Sequence, residues 1–312
     1  MNKRELGKFL DEKKGYIKFG SSKLMDMLVD KGHSLTKLTQ EDIKEVLRLK
    51  AKGYSYIPKK KKPLKILTYD IETTFVEARV WGSGKQYVGH DAIQTETQIL
   101  TVAWKWLGTN KVEALEWSRK KKSDKKLVAA FLEEYNKADM VIGWNNNSFD
   151  NKLVHARAMK YNYDVNTLVK SFDIMRQVKK VFRLPSYSMS YVSKYLGLGG
   201  KLQHNGIKMW EDIQWGNKTA YKQSMKLMVS YNIQDVALTE EIYFKLRKYL
   251  GNVIHTGALQ GKRGITCPNC GSNKVKLDHT TATPAGTIQR VIVCKKDKVK
   301  FKITNAKYLN SL

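Results

Sequence analysis

The sequence is short of cysteine, of acidic residues and of long apolar runs, and each shortage excludes a class of protein. No stretch of the 312 residues approaches the roughly 18 uninterrupted apolar residues that a membrane-spanning helix requires. Residues 1–4 are not followed by an apolar segment of the kind found in secretory signals. Three cysteines are an odd number and too few for a disulfide framework. We therefore expect a cytoplasmic protein with no membrane association.

The shortage of acids leaves a large positive charge. The chain has 57 Lys and Arg against 29 Asp and Glu, which gives a formal net charge of +28. A chain this basic indicates a polyanionic partner, most often nucleic acid, although a solubilising basic surface is the alternative. Residues 1–62 and 251–312 each carry +9, while the three-times-longer stretch 63–250 carries only +10. The two flanks are therefore the most basic segments.

Proline and lysine mark the first domain boundary. Residues 58–63 place four lysines between two prolines, which predicts an extended basic linker. Residues 1–57 show short helical patterns, one capped by Ser21 or Ser22 and one capped by Thr39. They predict a small helical module, either helix-turn-helix-like and DNA-binding or a plain three-helix unit.

The middle of the chain alternates between strand and helix patterns. Strand-like runs cover 64–72, 99–106, 111–117 and 140–143. Ser123 is predicted to cap a helix between them, and a long helical pattern runs from about residue 219 to residue 250. This order predicts an α/β domain with a mixed sheet over residues 64–250.

Acidic residues stand at three informative places in this domain. Asp70 and Glu72 are two apart on a predicted strand, so both carboxylates project from one face and repel each other unless a cation lies between them. Asp150 follows an apolar strand, and Tyr231 and Asp235 lie one helical turn apart. Each feature alone also fits a solvated strand end, a turn or an ordinary amphipathic helix. Together they predict a divalent-metal site, since Mg²⁺ prefers carboxylates.

The order Asp-x-Glu, Asn…Phe-Asp and Tyr-x-x-x-Asp resembles the three motifs of the DEDDy branch of the DnaQ-like (RNase H-like) 3′–5′ exonucleases. The amino-acid sequence of these motifs is similar to that of the proofreading domains of family B DNA polymerases. The similarity includes the later segments Phe172-Asp173 and Ser186-Tyr187-Ser188. The likeness covers roughly residues 64–300 and extends to stand-alone phage or prokaryotic exonucleases with a C-terminal zinc ribbon. Tyr231 stands four residues before the last acid, which fits the tyrosine branch rather than the histidine branch.

The resemblance implies an RNase H-like fold, in which helices flank a mixed five-stranded sheet. It implies two Mg²⁺ or Mn²⁺ ions, with Asp70, Glu72 and Asp235 at one and Asp70 and Asp150 at the other, and with Tyr231 orienting the attacking water. Single-stranded DNA 3′ ends are the implied substrate. A replicative DNA polymerase is an implied partner, because no polymerase domain follows and proofreading would be supplied in trans, in phage DNA replication or repair within a bacterial cytoplasm.

Further residues are predicted to contact the substrate. Thr73, Asn145 and Phe149 stand within the resembling motifs. Trp81 and Tyr87 flank a Gly- and Lys-containing loop that is predicted to stack an unpaired terminal base, with a buried hairpin tip as the alternative.

The three cysteines fall together near the C-terminus. Cys267-x-x-Cys270 forms one knuckle and Cys294 follows 24 residues later, a spacing that resembles a zinc ribbon over residues 261–312. Asp297 occupies the position of the fourth ligand, and His279 is the alternative. A ribbon without metal is the competing interpretation.

The sequence thus predicts a metal-dependent 3′–5′ exonuclease that releases nucleoside 5′-monophosphates from DNA. The alternatives are an RNA-processing ribonuclease of the same fold and a non-catalytic nucleic-acid-binding protein. The set of acids argues against the second alternative, because binding alone does not require groups that repel phosphate.

Overall fold

The computed structural model describes most of the chain, namely residues 1–51, 64–200, 206–250, 254–262 and 264–311. The predicted linker, residues 58–63, lies outside the described residues. The chain divides into two compact units, Met1–Lys62 and Pro63–Leu312, each with its own core.

The first unit packs three helices around an aliphatic core. They are α1 (Lys3–Glu12), α2 (Ser21–Asp30) and α3 (Gln40–Ala51). Their buried leucine, isoleucine and valine side chains face one another, as expected from helices with one apolar face. Within the described residues this unit is helical, as the sequence predicted.

Two caps of this unit were predicted from sequence, and one of them is wrong. Thr39 does cap α3: its Oγ1 accepts the Asp42 N–H at 3.1 Å, and the Asp42 carboxylate accepts the Thr39 N–H at 2.9 Å. Helix α2 instead has Gly20 at its N-cap, with no side-chain hydrogen bond. Because the helix begins at Ser21, both Ser21 and Ser22 already lie inside its first turn.

The second unit contains all strands of the described residues. They are β1 (Ile66–Thr73), β2 (Glu77–Ala78), β3 (Ile93–Thr95), β4 (Ile99–Trp106), β5 (Glu113–Glu116), β6 (Met140–Gly143), β7 (Lys170–Asp173), β8 (Val275–Ala282), β9 (Ile288–Cys294) and β10 (Lys300–Thr304). Its helices are α4 (Lys125–Tyr135), α5 (Asp150–Tyr161), α6 (Ile174–Val181), α7 (Met189–Tyr195), α8 (Ile207–Gln214), α9 (Lys218–Leu246), α10 (Thr256–Leu259) and α11 (Asn305–Leu309).

The main sheet has five strands in the order β5-β4-β1-β6-β7. Strand β1 pairs antiparallel with β4 and parallel with β6, so the sheet is mixed, and helices pack on both faces. The predicted fold class, a mixed five-stranded RNase H-like sheet flanked by helices, is confirmed.

Strand β1 alternates its side chains between the two faces of this sheet. Leu67, Tyr69 and Ile71 pack against α4 and α5 on one side. The alternate positions of the strand carry Asp70 and Glu72, whose side chains lie on the other face, where α9 crosses β1 and β4. The period of the strand therefore delivers both acids to the face covered by the longest helix.

Helix α9 spans 29 residues and ends at Leu246, somewhat earlier than the predicted residue 250. Asn217 caps it by accepting the N–H groups of Thr219 and Ala220. Its buried face includes Tyr231, Asn232 and Asp235. Within the described residues no helix is both long enough and apolar enough to cross a bilayer.

Near the C-terminus, a separate three-stranded sheet has the order β10-β9-β8. Strand-like runs at 274–277 and 287–293 of the sequence predict two strands here, and β8 and β9 occupy those places, with β8 extending further, to Ala282. Strand β10 was missed, because its alternating lysines leave only a weak apolar signal.

A buried ion pair joins α4 to α5. The Arg157 guanidinium donates two hydrogen bonds to the Asp124 carboxylate at 2.8 and 2.6 Å, and the same carboxylate accepts the Ile99 N–H at 2.9 Å. Asp124 is fully buried and occupies the N-cap of α4, so the predicted cap Ser123 is wrong by one residue. The Asp124 side chain turns inward to Arg157 instead of capping its own helix.

We expect Arg157→Leu to lower the free energy of unfolding by about 3–5 kcal/mol, because it leaves the Asp124 carboxylate buried without a counter-charge. Urea unfolding monitored by circular dichroism measures the loss. Lys152→Leu, at an exposed position of the same helix, is the matched control and should change stability little. Equal losses in the two variants would contradict a structural role for the pair.

Candidate active site

Three carboxylates from two elements meet beside β1. Oxygen atoms of Asp70, Glu72 and Asp235 all lie within 4.8 Å of one another. Asp70 and Glu72 come from alternate positions of β1, and the buried Asp235 comes from α9. The strand period predicted the shared face of Asp70 and Glu72, and the family resemblance implied that Asp235 joins them.

Asn232 is a member of this site that the sequence analysis missed. Its side-chain amide donates a hydrogen bond to Asp70 Oδ2 at 2.8 Å, and the residue is fully buried. It stands three residues before Asp235, so one stretch of α9 supplies both an acid and the donor that holds another acid. The position within the Tyr-x-x-x-Asp segment was the available signal.

Asp150 opens α5 and reaches β1 by a hydrogen bond. Its Oδ1 accepts the Ile71 N–H at 3.1 Å, and the residue is almost completely buried. Burial raises the pKa of Asp150 to about 7, with a further contribution from the nearby Asp173 carboxylate. The fourth predicted acid therefore lies beside the group of three without belonging to it.

The turn between β6 and α5 is fixed from two sides. A Cβ on Gly143 would lie 2.6 Å from Asn146 Cβ, so only glycine fits there. The Asp173 carboxylate accepts the N–H groups of Asn145 and Asn147 at 3.2 and 3.3 Å, and also caps α6. Asp173 thus holds the segment that presents Asp150. The resembling segment Phe172-Asp173 contains this residue, but the sequence did not indicate its role.

An open cleft of about 660 Å³ contains these groups. Its lining includes every acid predicted for the metal site, the predicted Tyr231, and two predicted substrate contacts: Asp70, Glu72, Asp150, Asp235, Tyr231, Asn145 and Phe149. Tyr231 is buried, whereas the Phe149 ring is half exposed and faces the cleft.

The other predicted substrate contacts do not line this cleft. Thr73 ends β1 outside it, and Trp81 and Tyr87 stand in the segment between β2 and β3 with almost fully exposed rings. The alternative of a buried hairpin tip is wrong, because nothing in the core covers these rings.

The three cysteines form a second cluster. The sulfur atoms of Cys267, Cys270 and Cys294 lie within 4.8 Å of one another, and Cys270 Sγ is 3.8 Å from Cys294 Sγ. Burial raises the pKa of Cys267, and burial together with Asp297 raises the pKa of Cys270 to about 12. Burial opposes ionisation of Cys294 as well, but hydrogen bonds from the Asp297 and Lys296 N–H groups and from the Cys267 and Cys270 thiols together lower its pKa.

The two candidates for a fourth ligand differ in position. Asp297 lies beside the thiols, where its N–H donates to Cys294 Sγ at 3.4 Å and its carboxylate accepts from Asn269 at 2.9 Å. His279 is exposed on β8 and pairs with Asp278 at 2.9 Å, outside the thiol cluster. Asp297 also lies 3.6 Å from Arg247, the residue that follows α9. The cysteine cluster is therefore attached to the helix that carries Tyr231.

Both clusters have the donor chemistry of metal sites. The converging carboxylates of Asp70, Glu72 and Asp235 fit Mg²⁺ or Mn²⁺, which bind oxygen ligands. Three converging sulfurs fit Zn²⁺, for which a carboxylate oxygen is an acceptable additional ligand.

Comparison with known proteins places the larger unit in a family. No curated protein matches the chain. The family B DNA polymerase from the hyperthermophilic archaeon Pyrobaculum calidifontis matches by structure, with 16% identity, a TM-score of 0.47 and coverage of 72% of this chain. The matched region is only 31% of that polymerase. The RNase H superfamily model RNase_H_2 matches residues 90–247, just over half of the sequence. The chain therefore belongs to the RNase H superfamily.

Proposed function

We propose that this protein is a metal-dependent 3′–5′ exonuclease of the DEDDy type that acts on single-stranded DNA ends. The observation that carries the proposal is the convergence of Asp70, Glu72 and Asp235 in one open cleft with Asp150 and Tyr231. Four acids gathered in a chain of net charge +28 are unexpected for simple binding of a polyanion, because they repel phosphate. They are expected where cations mediate the contact.

The four acids would bind two cations. Asp70, Glu72 and Asp235 would hold one divalent ion, and Asp150 with Asp70 a second. Such a pair of ions lowers the pKa of a water molecule and stabilises the attacking and leaving oxygens of an in-line displacement. Asn232 keeps the Asp70 carboxylate oriented by its 2.8 Å hydrogen bond.

Tyr231 would position the attacking water. The phenol hydroxyl can both donate and accept a hydrogen bond, so it can orient a water molecule in the cleft. It stands one helical turn from Asp235, so both groups reach the cleft from the same side of α9. Water would attack the phosphorus of the terminal phosphodiester, and the bond to the 3′ oxygen of the preceding nucleotide would break. That oxygen takes up a proton, and a nucleoside 5′-monophosphate is released.

The substrate end is expected to stack on Phe149, whose half-exposed ring lies in the cleft beside the acids. The segments 1–57 and 261–312 would add affinity for the nucleic-acid backbone, since the flanks carry most of the excess positive charge for their length. The sequence resemblance to stand-alone phage exonucleases suggests that the activity would serve phage DNA replication or repair. Proofreading would then be supplied to a separate polymerase.

Digestion of 5′-labelled single-stranded DNA, duplex DNA and RNA with Mg²⁺ tests the proposal. We expect a ladder that shortens from the 3′ end, fastest on single-stranded DNA. Asp235→Asn should abolish cleavage, because removing a metal ligand costs several kcal/mol of transition-state stabilisation. Tyr231→Phe should slow it roughly 10- to 1000-fold by removing one positioning hydrogen bond.

Tyr221→Phe, on the same helix but outside the cleft lining, is the matched control and should cleave at the wild-type rate. Internal cuts, or full activity of Asp235→Asn, would refute the assignment. Preferential digestion of RNA would change the proposed substrate from DNA to RNA, but the proposed reaction, 3′–5′ exonucleolytic hydrolysis, would stand.

The burial of Asp150 predicts how stability depends on pH without metal. The folded-state pKa is about 7, above the ordinary 3.8, so the folded protein retains a proton that the unfolded chain releases. The resulting stability is present below pH 4 and is lost as the pH rises through 7. We expect Asp150→Asn to raise the melting temperature in chelator, by more at pH 8 than at pH 5, while abolishing cleavage.

Asp164→Asn removes an exposed carboxylate from the same unit and is the control. Equal shifts for Asp150→Asn at pH 5 and pH 8 would mean that the buried carboxylate is not the source of the effect.

We further propose that the cysteine cluster binds one Zn²⁺ with Asp297 as the fourth ligand. Mass spectrometry of metal content should find about one zinc per chain, lost in Cys294→Ser. Asp297→Asn should weaken zinc retention during dialysis against chelator, whereas His279→Ala should retain it as the wild type does. Retention in Asp297→Asn with loss in His279→Ala would reverse the ligand assignment, and a zinc-free wild type would refute the site.

A further inference from the structure

The described lining of the cleft includes a lysine in addition to its acids. Met175 and Lys179 lie one turn apart on α6, and both line the cleft. Among the described lining residues, Lys179 is the one with a positive charge. The acids come from β1, α5 and α9, so Lys179 belongs to a separate wall of the same cleft.

An aromatic ring supports the lysine side chain. Lys179 Nζ lies 5.7 Å from the centre of the Tyr187 ring, within the range of a cation–π contact. The ring is itself fixed: its hydroxyl donates to the Phe182 carbonyl at 3.0 Å and accepts the Leu184 N–H at 3.3 Å. Tyr187 is therefore a rigid support that keeps the ammonium group at the cleft.

No carboxylate of the described residues lies within ion-pair distance of Lys179, although four acids line the same cleft. Other lysines of this protein do find such partners, for example Lys160 with Glu96 at 2.6 Å and Lys208 with Asp212 at 2.7 Å. The positive charge of Lys179 is therefore available to an anion that enters the cleft.

We infer that Lys179 binds a phosphate of the substrate strand other than the one that is hydrolysed. The inference rests on the proposed function in taking a nucleic-acid strand as the occupant. The acids with their cations serve the terminal phosphodiester, so an ammonium group on another wall is suited to a phosphate further along the strand. Ser186 and Ser188, from the segment that carries Tyr187, also line the cleft.

Binding of a 5′-fluorescein-labelled oligothymidylate in EDTA, where cleavage cannot proceed, tests Lys179 directly. Lys179→Met should weaken binding about 10-fold, as expected for loss of one charge-assisted contact. It should also lower the slope of log affinity against log salt by about 0.7, the value for one phosphate of a single strand. Lys180→Met is the matched control, because Lys180 has the same charge on the same helix but does not line the cleft.

Oligonucleotides with a single neutral methylphosphonate at each of the last linkages before the 3′ end locate the contact. At one internal linkage, the methylphosphonate should weaken binding to the wild type but should cause no further loss of affinity in the Lys179→Met variant. Two results would overturn the inference. Either Lys179→Met and Lys180→Met weaken oligonucleotide binding equally, or the affinity losses from Lys179→Met and from the methylphosphonate are additive at every linkage. Lys179 would then contribute only as a general surface charge.

The cleavage assay separates this test from that of the proposed function. If the wild type cleaves, Lys179→Met should raise KM with little change in kcat, because the contact is made equally in ground and transition states. An inactive wild type that still shows the linkage-specific loss in EDTA would refute the exonuclease and leave the phosphate contact standing. An active wild type without that loss would refute Lys179 alone.

Discussion

Asp70, Glu72 and Asp235 hold carboxylate oxygens within 4.8 Å of one another, and repulsion among three such charges must be offset for the fold to persist. Part of the offset is built into the protein: Asn232 donates a hydrogen bond to Asp70. The fourth acid, Asp150, is stabilised differently, because burial raises its pKa to about 7 and favours the neutral form. Divalent cations would relieve repulsion among the three carboxylates, so their convergence creates affinity for metal.

Such a site requires rigid supports, and the elements around it supply them. Asp173 fixes the turn after β6 through two backbone N–H groups, and Gly143 allows that turn to close against Asn146. The Arg157–Asp124 pair joins the helices behind the sheet. Helix α9 spans the opposite face, and beyond its end Arg247 lies 3.6 Å from Asp297, which is beside the cysteine cluster. A metal bound by the cysteines would therefore brace the helix that carries Tyr231 and Asp235.

Much of this arrangement follows from local periodicity and was predictable. The two-residue spacing of Asp70 and Glu72, and the four-residue spacing of Tyr231 and Asp235, each fix a shared face without knowledge of the rest of the fold. Strand β4 was predicted with its observed ends, because a continuous apolar run marks a buried strand. The roles of Asn232 and Asp173 depend on partners far away in sequence, so no local pattern specifies them. Cap positions failed by one residue at α2 and α4, where neighbouring polar residues compete for the same place.

Diffraction from crystals grown with Mn²⁺, measured at the manganese absorption edge, tests the metal assignment at the centre of this account. The account predicts an anomalous peak in the cleft, about 2.2 Å from carboxylate oxygens of Asp70, Glu72 and Asp235. A cleft without a peak, in crystals where the three side chains point away from one another, would contradict it.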